Sequence, residues 1–364
     1  MCDDVSGLKA REKERLRQIF AERVTFDPTE RLLYGHDIAA IPSLVKPLVG
    51  DTTPDAVVQP STEEQLVAVA MWARERRIAL TPRGKASSGY GGVIPVRNGV
   101  VVDFYFMRDI LSVDHEALSV TVQPGITWEQ LDREIMKQGL TLRLYPTSYP
   151  SSSVGGWLAQ GGACIGSYLY GCFRENVVSA RVVHADGGAR DYSGADLDLV
   201  ADAEGTTGLL SQVTLRVRPL EAEAVTAIAC AEAHDLQELI ERIAETDLPI
   251  WSMVYINPCM AEMKNRAPLT EHMGHPVEER VLLPAAYILT LAFAEDDRPT
   301  IESALAEMVR PCQAEILSKR IADHEWQHRF KLMVVKRLGP SLVPSEVVVP
   351  LDRLGDVMEA IERK

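Results

Sequence analysis

No two of the six cysteines (Cys2, Cys164, Cys172, Cys230, Cys259, Cys312) form a CxxC pair. The chain therefore encodes neither a zinc ribbon nor an iron–sulfur site of its own. The longest apolar run, residues 281–294, is too short to cross a bilayer and contains Pro284, so it reads as a buried strand and no transmembrane segment is expected. The N-terminal stretch MCDDVSGLKAREKERLRQIF is charged and lacks an apolar signal core, so a cytoplasmic location and reduced thiols are expected. An excess of basic residues is missing too. The net charge of −14 argues against nucleic acid as a partner, because phosphate neutralisation needs clustered Lys and Arg. Neither the Walker pattern nor GxGxxG occurs, so a nicotinamide-binding doubly wound domain is not encoded. There is no short-period repeat and no low-complexity tract.

What is present is a chain of 364 residues, 46% hydrophobic, long enough for two or three packed domains. AVVQP, IALTPRG and NGVVVDFYFM read as strands around a helix with a capping box at Ser61 and Glu64. ALSVTVQPG leads through a Pro-Gly turn into a helix capped by Thr127 with Gln130 and stopped at Gly139. VVSARVVHADGGAR reads as a strand and a hairpin turn at Asp186-Gly187-Gly188, and EGTTGLLSQVTLRVRPL as a turn entering a long strand. The texture changes near residue 220. Beyond it come two strand–helix units, with Asp235 and Glu238 as candidate caps of the first helix and PSEVVVPL as a last strand.

Three loops are short of side chain. TPRGKASSGYGG (81–92) follows a strand, PTSYPSSSVGGWLAQGGACIGSYLYG (146–171) is long and rich in Gly, Ser and Pro, and EGTTG (204–208) is the third. Such loops offer main-chain N–H groups and small hydroxyls without bulk, which is what a diphosphate needs. Any one of them alone reads equally well as a turn; three together point to an anionic ligand.

These residues carry a resemblance. The chain is similar to the vanillyl-alcohol oxidase and para-cresol methylhydroxylase superfamily of FAD-linked oxidases, and within it resembles the glycolate oxidase D-subunit and D-lactate dehydrogenase branch. The resemblance runs through five segments in register between residues 54 and 219: TPRGKASSGYGG, GVVVDFYFMRDILSVD, VTVQPGITWEQLDREIMKQGL, the 146–171 loop and EGTTGLLSQVTLRVRP. It implies an α+β fold. A PCMH-type FAD-binding domain of two α+β subdomains would occupy residues 1–220, and a ferredoxin-like α/β cap, expected to be incomplete, residues 221–364. It implies FAD with Pro82, Arg83, Gly84, Lys85, Ala86, Ser87 and Ser88 of the first loop around its diphosphate. From the second loop it implies Pro146, Ser148, Ser152, Ser153, Gly155, Gly156, Ala159, Gly161, Gly162 and Gly171. Glu204, Gly205, Gly208 and Leu210 would lie along the other side, with the isoalloxazine directed to the second domain.

The implied reaction is oxidation of a small 2-hydroxy acid by hydride transfer to flavin N5, with electrons passed to a partner protein or iron–sulfur subunit. A second implied reading is an FAD-bearing electron-transfer subunit without its own substrate. A third, a cell-wall nucleotide-sugar reductase, is disfavoured by the likeness of residues 325–354 to the hydroxy-acid branch. The sequence departs from the family in several places. The first loop carries Lys85-Ala86-Ser87 where some members hold a flavin-linking histidine, so non-covalent FAD is expected. Lys85 either assists the diphosphate or points to solvent. Tyr168, Tyr170 and Cys172 either face the ring or pack in the core. Trp326 and Arg329 match the branch's Trp-x-x-Arg, which makes Arg329 the candidate for the substrate carboxylate. A family lysine is replaced near Pro344, and the branch's HxGDGNxH motif is absent, so the catalytic base is unassigned. No metal is expected. His324 and His328, spaced i, i+4, are read as a solvated helix face, His272 and His275 as loop residues, and REKERLRQ as a solvated helix. Lys331, Lys336 and Arg337 either neutralise an acidic substrate or form a basic surface.

Overall fold

The computed structural model describes residues 7–38, 46–269, 271–272, 275–276, 279–339 and 347–363. The chain divides into two compact units: residues 1–164 with 171–220, and residues 165–170 with 221–364.

The first unit holds two sheets. In one, β1 (Val24–Thr25), β2 (Ala56–Val58), β3 (Leu80–Arg83) and β4 (Val100–Asp103) lie in the order β1-β2-β4-β3, with β4 parallel to both β2 and β3. A central parallel strand is covered on both faces and reads as a continuous apolar run; all four residues of β4 are buried. The helix Glu63–Arg76 supplies Leu66, Val69, Ala70 and Ala73 at helical spacing, and these pack with Leu16 and Phe20 of the helix Ala10–Phe20. Each fully buried side chain of this size contributes about 1.5–3 kcal/mol of hydrophobic stabilisation. The helix starts one residue later than expected. Thr62 Oγ1 accepts from Gln65 N, while Ser61 N donates to the Gln65 side chain.

The second sheet comprises β5 (Ile110–Asp114), β6 (Ser119–Val122), β7 (Leu140–Leu142), β8 (Val177–Val183), β9 (Ala189–Ser193) and β10 (Leu209–Pro219). Its order is β5-β6-β10-β8-β9, and β7 pairs with the end of β10. β10 is the spine. Leu209, Ser211, Val213, Leu215 and Val217 are buried at period two, as a strand with one covered face requires. Thr127 caps the helix Trp128–Met136 by accepting from Gln130 N, as expected. The β8–β9 hairpin closes at Asp186, whose carboxylate accepts from Gly188 N.

The second unit is an antiparallel sheet of β11 (Glu223–Cys230), β12 (Ile250–Ile256), β15 (Tyr287–Ala294) and β16 (Ala314–Ile316), with a small ribbon of β13 (Glu271–His272) and β14 (His275–Pro276) between them in sequence. The order β12-β15-β11-β16, with the helices Ala233–Ala244 and Arg298–Met308 as the two crossovers, is the ferredoxin-like arrangement. Leu236, Leu239, Ile240 and Ile243 form the apolar stripe of the first crossover, and Ile301 and Leu305 that of the second. Two expectations are corrected. The N-cap position is Glu232, without a side-chain cap bond, rather than Asp235 or Glu238. The fourth strand is β16, not PSEVVVPL: residues 347–350 have no strand partner and run into a short 3-10 turn, Leu351–Arg353. An extended apolar stretch becomes a strand only where its backbone groups pair with a neighbour's, and residues 347–350 make no such pairing.

Candidate functional site

The first unit contains a cleft lined by all three loops. From the first loop come Pro82, Arg83, Gly84, Lys85, Ala86, Ser87 and Ser88. The second contributes Ser148, Ser152, Ser153, Gly155, Gly156 and Ala159, and the third Glu204, Gly205, Gly208 and Leu210. Four expected residues, Pro146, Gly161, Gly162 and Gly171, do not line it. Gly161 sits against Asp202, whose carboxylate a Cβ would overlap, and Gly171 against the Glu175 carboxylate. Those glycines serve turns with positive φ rather than the cleft.

The glycines at the cleft serve close approach. A Cβ on Gly84 would lie 2.3 Å from Ser153 Oγ, and one on Gly205 would lie 2.5 Å from Pro82 Cγ. Gly155 donates its N–H to Pro124 O at 2.8 Å, which ties the second loop to the Pro124-Gly125 turn. The third loop is hung on the second: Asp202 N donates to Leu158 O at 3.0 Å and Glu204 N to Ala159 O at 2.8 Å. Ser148 Oγ donates to Ser152 Oγ at 2.8 Å, while Ser153 Oγ, buried, has no hydrogen-bond partner among the described residues.

The cations beside the cleft face elsewhere. The Arg83 guanidinium donates to the carbonyls of Leu33, Tyr34 and His36 at 3.4, 3.3 and 3.0 Å and stacks on the Tyr34 ring. Burial draws its pKa down, against the opposing charges of Asp103, Tyr34 and Asp37. Lys85 Nζ stands 4.6 Å over the Tyr105 ring in a cation–π contact. Burial raises the Glu204 carboxyl above its ordinary range, and the charge of Asp202 adds to this.

Sequence reasoning missed Val93, Phe104, Pro124, Val182 and Val200, which also line the cleft, and placed Trp157, Gln160 and Thr207 there only as members of its loops. Trp157, on the helix Val154–Gln160, stacks on Phe173, and its indole nitrogen also lacks a partner among the described residues. Its place two residues after Gly155 was the available signal.

In the second unit, Arg329 stacks on Trp326 and Phe330, and its Nη1 donates to Trp326 O at 2.6 Å. Trp326 in turn meets Trp251 edge to face at 5.4 Å. Tyr168 is 39% exposed and Cys172 is exposed, so neither is a core residue. The reading of His324 as a solvated position is overturned. Its side chain is 19% exposed, and its Nδ1 lies 3.1 Å from Glu325 Oε1. The expectation that no HExxH carboxylate accompanies His324 and His328 is corrected too: residues 324–328 read His-Glu-Trp-Gln-His, the pattern of helical zinc sites. No group of three or more His, Cys, Asp or Glu that could hold a metal occurs among the described residues. The side chains of His272 and His275, and Pro344, lie outside the described residues. Among the described residues no helix is long and apolar enough to cross a membrane.

Comparison with known proteins names the ligand class. Residues 54–193 match the FAD binding domain family. The chain is 26% identical over 372 aligned positions to the glycolate oxidase subunit GlcD of Bacillus subtilis, covering 96% of this chain and 74% of that protein. It is 30% identical to the mitochondrial cytochrome D-lactate dehydrogenase of Arabidopsis thaliana over 59% of this chain, and spans only 38% of that protein. A solved alkyldihydroxyacetonephosphate synthase shares the fold, with TM-score 0.77 at 18% identity over 92% of this chain and 64% of the other. The first unit thus carries an FAD-binding domain of the PCMH type. The cleft fits FAD on the structure's own terms: glycines where a Cβ would intrude, and a buried serine hydroxyl awaiting a partner.

Proposed function

We propose that this chain, an FAD-dependent oxidoreductase with a PCMH-type FAD-binding domain, oxidises a small 2-hydroxy acid of the glycolate or D-lactate kind and passes the electrons to a partner protein. The observation that carries the substrate class is the similarity to a glycolate oxidase subunit over 96% of the chain, which extends through both units and well beyond the matched FAD domain. The three loops supply the cofactor site. Main-chain N–H groups of small residues, with Ser152 and Ser153, hold the diphosphate without covalent attachment. Arg83 fastens the first loop to residues 33–36 so that its glycine-rich turn keeps its shape. Bound FAD supplies the hydride acceptor, and the protein's part is to position and tune it. Arg329, held flat between Trp326 and Phe330, is the candidate to pair with the substrate carboxylate. The location that fits is the cytoplasm, with an iron–sulfur protein as the electron acceptor.

The test is anaerobic mixing of the FAD-loaded protein with a panel of D- and L-2-hydroxy acids while flavin absorbance is followed. Bleaching by one or more of them is the expected result. Bleaching by none, together with bleaching by a reduced partner protein, refutes the dehydrogenase reading in favour of an electron-relaying subunit.

A further inference from the structure

The first loop of the cofactor cleft is fastened at both ends to one short segment of the same unit, residues 33–38. At the loop's start, Arg83 donates to the carbonyls of Leu33, Tyr34 and His36. Near its end, Gly91 N donates to Asp37 Oδ2 at 2.8 Å. Between these two points, Ile38 N donates to Ser88 O at 3.4 Å. The segment is itself tied to the sheet below. The Tyr34 hydroxyl donates to the Asp103 carboxylate, at the end of β4, at 3.0 Å, and Gln59 Nε2 donates to the same oxygen at 2.8 Å. Asp37 is only 6% exposed, and carboxylates are seldom buried to that degree unless they are paired. Its charge acts on the Arg83 guanidinium as well, so the two anchors reinforce each other.

The loop has a conformation that needs such a clasp. Ala86, in its middle, has φ 51°. A residue with a Cβ disfavours this left-handed region by about tenfold or more, and it persists only where surrounding contacts over-determine it. Ala86 is buried and lines the cleft with Gly84, Lys85, Ser87 and Ser88. Asp37 and Gly91 are not in the cleft wall. Asp37 therefore acts on the cleft through the loop and not by touching what the cleft holds.

We propose that Asp37 is a positioning residue for FAD: through Gly91, and with Arg83 at the other end, it holds residues 83–91 in the shape that receives the cofactor. The loop is then ordered when the chain folds, and little ordering remains to be done when FAD binds. The inference concerns the FAD-binding domain alone and does not depend on the substrate proposed above.

The test compares FAD affinity, read from flavin fluorescence on dilution, with thermal unfolding of the FAD-free protein, which reports the fold separately. Asp37→Ala is expected to lower the affinity by about tenfold or more, the preference that Ala86 regains for other angles. Asp37→Asn, which keeps an oxygen for Gly91 N, is expected to retain most of it. The variant that separates positioning from mere support is Ala86→Gly. Glycine enters positive φ freely, so this change is expected to raise affinity several-fold more in the Asp37→Ala protein than in the wild type. The same effect in both backgrounds overturns the proposal. So does an Asp37→Ala protein that unfolds at lower temperature yet binds FAD as tightly as the wild type, because Asp37 would then serve the fold alone. A measurement on the wild type stands even if a variant fails to fold. With nitrogen-15 glycine labelling, the Gly91 amide of the FAD-free protein is expected to be protected from hydrogen exchange. An unprotected Gly91 amide overturns the preset loop.

Discussion

At the cleft of the first unit the basic side chains are spent on other partners: Arg83 on three carbonyls and Lys85 on the Tyr105 ring. At a cavity of the second unit Lys319 and Arg320, in the wall itself, are paired with the carboxylates of Asp323 and Glu279. The first unit presents glycines, small hydroxyls and main chain; the second presents charge on long side chains. A cofactor meant to stay is held by backbone dipoles that cost little to order, since the fold has already fixed them.

Three substitutions sharpen or break this comparison. The largest effect is expected inside the second unit. Lys264→Met strands the Glu325 carboxylate in a buried setting and should cost about 3–5 kcal/mol in urea unfolding, whereas the Lys264→Met, Glu325→Leu pair should recover most of it. If the single change is harmless, the pair does not behave as a buried one. Next is Gly84→Val. Its side chain would enter the space beside Ser153 Oγ, and FAD affinity, measured by flavin fluorescence on dilution, should fall about tenfold or more, or 1.4 kcal/mol per decade. An unaltered affinity would break the contrast, because it would mean the first loop does not touch the cofactor. The smallest effect is that of Ser153→Ala. Its hydroxyl has no partner among the described residues, so the FAD-free protein should lose no stability in thermal unfolding. FAD binding should weaken by about 0.5–1.5 kcal/mol, the net worth of one hydrogen bond. Lost stability in the FAD-free protein would show that Ser153 serves the fold rather than the ligand.

Much of this was legible beforehand where local chemistry decides. The Asp186-Gly187-Gly188 turn, the Thr127 cap and the apolar run of β4 need only their own neighbours to form. Seventeen of the proposed cofactor residues meet at one cleft because glycine-rich loops following strands of one unit end on the same side of it. The errors have a common cause. Gly161 and Gly171 look in sequence like their cleft-lining neighbours, and only packing against Asp202 and Glu175 separates them. PSEVVVPL has strand composition, but a strand also needs a partner along its length, and residues 347–350 pair with none.

By itself the sequence determined the kind of ligand in the first unit and the alternation of strands and helices in both, because turn chemistry, helix period and small-residue loops act over a few residues. Tertiary structure alone decided where the charges point. Nothing in the sequence shows that the Arg83 guanidinium meets the Tyr34 ring or that Lys85 stands over Tyr105. His324 reads as a surface residue until the fold sets it against Glu325, a buried carboxylate paired with Lys264 from sixty-one positions away. A side chain's role depends on which partner lies within a few ångströms, and the fold sets that distance across the chain.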